Sequence, residues 1–249
     1  MSYALAEFLG TAVLVYLGDA VVANCILKGT KGFNGGWIVI TFGWAFAVAI
    51  PVLMFGPFSG AHFNPAVTLG LASIGLTPWD QVPIYILTQF LGAFLGAFLV
   101  WLQYKDHFDQ TDDPGTQLGV FATGPAIRST GRNFISEFLG TFMLLFTIVG
   151  IGSTFYNIGS VDAAGADVAA HAVKAFGVGG IILVIGLSLG GTTGYAINPA
   201  RDLGPRIMHA ILPMKGKGGS DWGYAWIPVI APILGGVAAC LVAKAVGLV

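Results

Sequence analysis

The chain predicts an all-α membrane protein of six transmembrane helices plus two re-entrant half-helices, arranged as an inverted 3+3 repeat. Composition, run length and self-similarity carry that expectation. Of 249 residues, 55% are hydrophobic and only 9% charged, with a mean hydropathy of +0.81. A soluble domain carries about a quarter charged residues. These few charges cannot clothe a globule of this size in water, so lipid must solvate most of its surface. The apolar residues fall into runs of membrane length, and motifs in the first half return in the second.

A bilayer core of about 30 Å calls for roughly 20 apolar residues per helix. Runs near 4–27, 36–56, 82–104, 133–155, 172–190 and 224–247 meet that length. Gly29–Gly35, the polar segment 105–132, Tyr156–Asp167 and Lys215–Asp221 separate them. Two more apolar stretches, 63–73 and 197–212, are too short to span. Each follows a glycine-rich turn, Gly56–Gly60 or Gly190–Gly194, and opens on Asn-Pro. Asparagine as N-cap with proline at the first helical position is a helix start, so both read as half-helices. Irregular backbone at membrane depth survives only inside protein or beside a water-filled cavity.

The repeat sets the architecture. Ala6-Glu7-Phe8-Leu9-Gly10-Thr11 returns as Ser136-Glu137-Phe138-Leu139-Gly140-Thr141, an offset of 137 − 7 = 130. Gly60-Ala61-His62-Phe63-Asn64-Pro65-Ala66 returns as Gly194-Tyr195-Ala196-Ile197-Asn198-Pro199-Ala200, an offset of 198 − 64 = 134. Residues 1–249 therefore read as a single domain whose repeats, 1–104 and 133–249, are joined by the connector 105–132. Three spans per half is an odd number, so the second half enters the membrane upside down. The half-helices then dip in from opposite faces and their N-termini meet near the midplane, the mark of a pore or transporter.

Other classes drop out. Net charge is 11 − 12 = −1, which leaves no basic field for nucleic acid. Cys25 and Cys240 lie in apolar runs and read as buried free thiols rather than a disulfide. The first apolar stretch lacks a basic leader and is too long for the core of a cleavable signal. No metal-ligand cluster, Ser/His/Asp set or phosphate loop appears, so neither a cofactor nor an enzyme activity is expected.

With its two Asn-Pro-Ala boxes (Asn64-Pro65-Ala66 and Asn198-Pro199-Ala200), two Glu-Phe-Leu-Gly-Thr segments and Arg201, the chain resembles the major intrinsic proteins, the aquaporins and glycerol facilitators, over essentially its whole length. Asp202 after Arg201, Arg206 four residues on, and Pro228-Val229 in the last span look like the aquaglyceroporin branch. The resemblance implies a right-handed aquaporin-like bundle and assigns roles. Asn64 and Asn198 would donate amide hydrogens to a permeating oxygen. The carbonyls of Gly60, Ala61 and His62, and of Gly194, Tyr195 and Ala196, would line the pore. Glu7 and Glu137 would each hold backbone N–H groups of the re-entrant loop in their own half. Two half-helix N-termini, each carrying about half a positive charge, would repel cations at the midplane.

For the selectivity filter the same likeness points to Arg201 as the arginine, Trp44 and Tyr195 as aromatic walls, and Gly186 where water-selective relatives carry histidine. Gly186 is expected to leave space at the aperture. Tyr195 replaces the phenylalanine common in glycerol facilitators, and its hydroxyl is expected to make the aperture more polar. Asp202 and Arg206, spaced i, i+4 with the acid first, can pair and brace the filter helix. His62 is expected to bond backbone near the cytoplasmic vestibule. Asp19 lies about 18 Å along the helix from Glu7 at 1.5 Å per residue, towards the opposite mouth, where a hydrated or paired carboxylate is bearable; no role is assigned to it. The connector, with Asp106, Asp109, Asp112 and Asp113, is expected to be a solvated extracellular loop.

The function expected is passive diffusion of glycerol and similar small neutral solutes, with water, through a multi-pass cell-membrane channel that excludes ions and protons. Broader facilitation of dihydroxyacetone, urea or protonated lactic acid, ion-coupled transport and a water-selective pore are the alternatives. Gly186 and Asp202 speak against the last. The resemblance also implies a homotetramer, one pore per protomer, with both termini cytoplasmic. Only Lys174 and Lys244 then lie inside, although the positive-inside rule alone favours the reverse.

Overall fold

The computed structural model describes residues 1–157 and 163–249, the side chains of 153–157 and 163–169 excepted. Its helices are α1 (Tyr3–Ile26), α2 (Gly36–Ser59), α3 (Pro65–Ser73), α4 (Val82–Gln110), α5 (Pro114–Phe121), α6 (Thr130–Asn157), α7 (Ala163–Ser188), α8 (Pro199–Ile211), α9 (Trp222–Ala225) and α10 (Ile227–Ala245). Among the described residues six segments are long and apolar enough to cross a membrane: α1, α2, α4, Thr130–Gly152 of α6, Ala170–Ser188 of α7, and α10 with the short α9 before it.

The short helices α3 and α8 begin at Pro65 and Pro199. Asn64 caps the first through Oδ1, which accepts from Ala66 N at 2.9 Å. Asn198 caps the second, accepting from Ala200 N at 3.0 Å and Arg201 N at 3.2 Å. Packing follows a two-fold pattern. α1 lies on α2 and α4 while α6 lies on α7 and α10; α3 rests on α10 while α8 rests on α4; α2 meets α7 across the molecule.

Small residues bring these helices together. A Cβ added at Gly92 would fall 2.3 Å from the Phe8 carbonyl oxygen, and one at Gly235 2.3 Å from that of Phe138. In lipid there is no hydrophobic drive between helices, so close backbone approach through glycine supplies the packing. Large apolar side chains such as Phe42, Leu87, Leu139 and Leu234 face outward, where acyl chains replace protein.

Two expectations are corrected. The connector is not a plain solvated loop. α4 continues past a kink at Tyr104 to Gln110, and α5 follows with Val120 and Phe121 buried. Pro114 at N1 and Asp113 as N-cap start α5, Asp113 Oδ2 accepting from Thr116 N at 2.7 Å. The acidic run is largely committed. Lys105 pairs with Asp109, and Lys28 Nζ lies 2.9 Å from Asp112, a hydrogen bond that holds this aspartate below its ordinary pKa. The break expected at Tyr156–Asp167 is also narrower. α6 is helical to Asn157 and α7 from Ala163, because the alanine-rich stretch after 162 propagates helix; residues 158–162 lie outside those described.

Candidate functional site

A cavity of about 610 Å³ runs through the middle of the bundle, from Leu76 and Lys174 at one end to Trp44 and Arg201 at the other. Its floor at mid-depth is made by the two loops that lead into α3 and α8. In the first loop Gly60, Ala61 and Phe63 have φ of 80°, 56° and 50°. In the second, Gly194, Tyr195 and Ile197 have φ of 84°, 40° and 43°. Left-handed backbone at a non-glycine residue costs about 1–3 kcal/mol and persists only where the surroundings enforce it.

The surroundings here are carboxylates and asparagines. Glu7, wholly buried, accepts from His62 N at 2.9 Å and Phe63 N at 2.7 Å, and also from the Ser59 hydroxyl at 2.6 Å and Gln89 Nε2 at 2.8 Å. Glu137, equally buried, accepts from Ala196 N at 3.0 Å and Ile197 N at 2.9 Å. A buried charge is tolerable only with such donors. One turn beyond each glutamate a glycine admits the loop: a Cβ at Gly10 would overlap the Phe63 ring at 2.0 Å, and one at Gly140 would meet Ile197 Cγ2 at 3.0 Å.

The asparagines tie the halves to each other. Asn64 Nδ2 donates to the Ile197 carbonyl at 2.8 Å, and Asn198 Nδ2 donates to the Phe63 carbonyl at 2.9 Å. Each amide keeps a second N–H, and both side chains border the cavity. Among the described residues no donor is bonded to the carbonyl oxygens of Gly60, Ala61, His62, Gly194, Tyr195 or Ala196. All of these residues border the cavity except Gly194, which was expected there; its α-carbon faces Thr123, with an added Cβ 3.2 Å from that side chain. Among the described residues the His62 ring bonds no backbone group, contrary to expectation. Its Nδ1 is 3.1 Å from the Thr68 hydroxyl, and its ring packs on Tyr85 with centroids 4.6 Å apart. Thr68 lies one turn into α3, within reach of a ring that the first loop turns inward.

At the far end the Arg201 guanidinium lies over the Trp44 ring, 4.0 Å from its centroid. Tyr195 lines the cavity at this end, but not as the sequence suggests. Its hydroxyl is buried and has no hydrogen-bond partner among the described residues. The ring is tucked against α7, where a Cβ at Gly186 would lie 2.9 Å from Tyr195 Cζ and 2.8 Å from Thr41 Cγ2. Trp37 packs edge-on to the ring and donates from Nε1 to the Gly186 carbonyl at 2.9 Å. Gly186 is therefore a seat for Tyr195 and not open space at the aperture, and the tyrosine oxygen adds no polarity to the lumen.

α8 is fixed from behind. Asp202 accepts from Thr123 N at 2.8 Å and its hydroxyl at 2.6 Å, and Arg206 Nε donates to Asp202 at 2.9 Å. The same guanidinium donates to the carbonyls of Ser220 at 2.9 Å and Thr123 at 2.8 Å. Charge-assisted bonds of this kind inside protein are the strong ones, and they lock α8 to the loops on either side.

Asp19 takes the paired form of the two its place on α1 allowed: it is wholly buried rather than hydrated, and its Oδ1 is 3.5 Å from Arg201 Nη1. The bend of the second loop brings Arg201 back onto α1, which no local spacing announces.

The profile of the family described as "Major intrinsic protein" matches residues 1–243. A probable glycerol uptake facilitator protein of Thermotoga maritima is 55% identical, covering 95% of this chain and 96% of that one. The glycerol uptake facilitator protein of Bacillus subtilis is 49% identical over 92% of this chain and 79% of its own. Among solved structures, the aquaglyceroporin from Plasmodium falciparum superposes with a TM-score of 0.82 at 33% identity, covering 98% of this chain and 96% of that one. With six apolar spans and two capped half-helices meeting at a central cavity, this chain belongs to the major intrinsic protein family.

Proposed function

We propose that this multi-pass membrane protein is a passive channel for glycerol and other small neutral solutes, passing water and excluding ions and protons. The observation that carries it is the two-sided chemistry of the cavity. One side offers unpaired loop carbonyls and the spare N–H groups of Asn64 and Asn198; the other is apolar, with Leu14, Val48, Ile148 and Ile182. A polyol has hydroxyls along one edge and CH groups along the other, so it exchanges water for this lining with little loss. At the filter, Trp44 presents a face to the carbon backbone, and the planar donors of Arg201 suit adjacent hydroxyls. Two helix N-termini at the midplane raise the energy of a cation. Relatives named as glycerol uptake facilitators at 49–55% identity support the solute class.

The carboxylates of Glu7 and Glu137 are taken up by loop donors, which favours a facilitator over a proton-coupled carrier. The single domain 1–249, the repeats 1–104 and 133–249 with connector 105–132, the cytoplasmic placement of the termini and a homotetramer with one pore per protomer belong to the same proposal, supported by the likeness to the family. Stopped-flow light scattering on proteoliposomes tests it, with glycerol, dihydroxyacetone, urea, lactic acid and water as the panel. Glycerol flux well above that of empty vesicles and indifferent to a protonophore is expected. Flux that collapses with the proton gradient, or none above background, would overturn it.

A further inference from the structure

We propose that Gly18-Asp19 on α1 is the positioning element of the filter, with Asp19 holding and neutralising Arg201. The proposal rests on the channel reading above. Gly18 makes room: a Cβ there would fall 2.2 Å from Trp44 Cζ3, so the indole lies directly on the α1 backbone. Asp19, the next residue, reaches Arg201 at 3.5 Å, and Arg201 in turn covers the same indole at 4.0 Å. Two consecutive residues thus set the depth of the aromatic wall and the place of the guanidinium stacked on it. No other carboxylate lies within ion-pair distance of Arg201 among the described residues.

The internal repeat gives independent support. At the offset of 130 that relates Glu7 to Glu137, Asp19 corresponds to 19 + 130 = 149, Val149. At the offset of 134 that relates the Asn-Pro-Ala boxes, Arg201 corresponds to 201 − 134 = 67, Val67. Both valines border the cavity. The acid and the base therefore depart from the repeat together, as a pair required at one end only. Asp19 is 0% exposed, so it does not meet solute. It acts through Arg201, as an opposite charge in a site of low effective dielectric, where a unit charge is felt more strongly than in water. A paired Arg201 keeps its donors for hydroxyls while the constriction stays close to neutral, so it does not collect anions.

The test uses the full chain in proteoliposomes, with glycerol and water permeability by stopped flow and nitrate and potassium leak by ion flux. Asp19→Asn leaves the arginine uncompensated, and nitrate leak is expected to rise roughly tenfold, with the glycerol-to-water ratio reduced. Arg201→Gln leaves the carboxylate uncompensated, and potassium leak is expected to rise instead. The double variant, with neither charge, should show less nitrate leak than the first and less potassium leak than the second. A merely structural role for Asp19 predicts additive losses without this change of sign. Unchanged ion leak in Asp19→Asn, or additive leaks in the double variant, would overturn the proposal. If Asp19→Asn does not fold, Arg201→Gln still decides: no rise in potassium leak means that Asp19 exerts no charge at the filter. Absence of glycerol flux in the wild-type protein would instead strike the channel reading itself.

Discussion

In the proposed filter, Tyr195 acts through what stands behind it. Its ring fills the place that an absent side chain at Gly186 leaves free, and Gly190 does the same one turn on, where a Cβ would fall 2.4 Å from Tyr195 Cδ1. Adding a methyl at Gly186 must push the ring towards the lumen or Thr41 out of its packing. Gly186→Ala should therefore lower glycerol permeability by roughly tenfold, about 1.4 kcal/mol of added barrier, and water permeability far less, since a single file of water needs less width. Stopped flow on the same vesicles with matched protein content checks it. Equal losses of both would indicate misfolding, and undiminished glycerol flux would mean that the Tyr195 ring does not set the aperture. The sequence located Tyr195 and Gly186 but not their relation, because the direction of a side chain in a loop of left-handed residues is not encoded by spacing.

At the level of elements, glycine is the means by which helices approach one another, and position separates the glycines that matter. Gly92 and Gly235 stand where α4 meets α1 and α10 meets α6; Gly180 on α7 has nothing within 4 Å of an added Cβ. Gly92→Ala or Gly235→Ala should cost about 1–3 kcal/mol of stability through overpacking, seen as a lower Tm in detergent. Gly180→Ala should be neutral or slightly stabilising, because alanine is the better helix former. A Tm unchanged by the first two would mean that the helix pairs yield more easily than their backbones suggest. Spans and half-helices were legible for a simple reason: apolar run length and Asn-Pro starts are local signals. α5 was not, since its start, Asp113-Pro114, lies in an acidic run that reads as loop. Nor were the left-handed Ala61, Phe63 and Ile197, because only glycine announces such backbone in sequence. Phe63 and Ile197 are held by Glu7, Glu137 and the asparagine of the opposite half, groups distant in the chain, so their conformation exists only once the halves have met.

The whole molecule is a near-symmetric frame with an asymmetric lining. Adding or subtracting 134 pairs Trp44 with Val178, Gly186 with Val52, Tyr195 with Ala61 and Arg201 with Val67. All four counterparts border the cavity, so the positions equivalent to the proposed filter form an apolar collar on the same scaffold. The two ends act in series, and the step at which solute exchanges its water for Arg201 and the aromatic walls dominates the total. Loss of a methyl pair at the collar should then leave selectivity where the filter puts it. Val178→Ala is expected to keep both glycerol permeability and the glycerol-to-water ratio within about twofold of the unaltered protein, because the rate is set where solute must shed water for Arg201 and the aromatic walls. Stopped flow beside Gly186→Ala, in vesicles of one lipid composition, makes the comparison direct. A shift in the ratio as large as that of Gly186→Ala would show that the collar shares control of solute choice, and that the division of labour between the two ends drawn from the repeat is wrong.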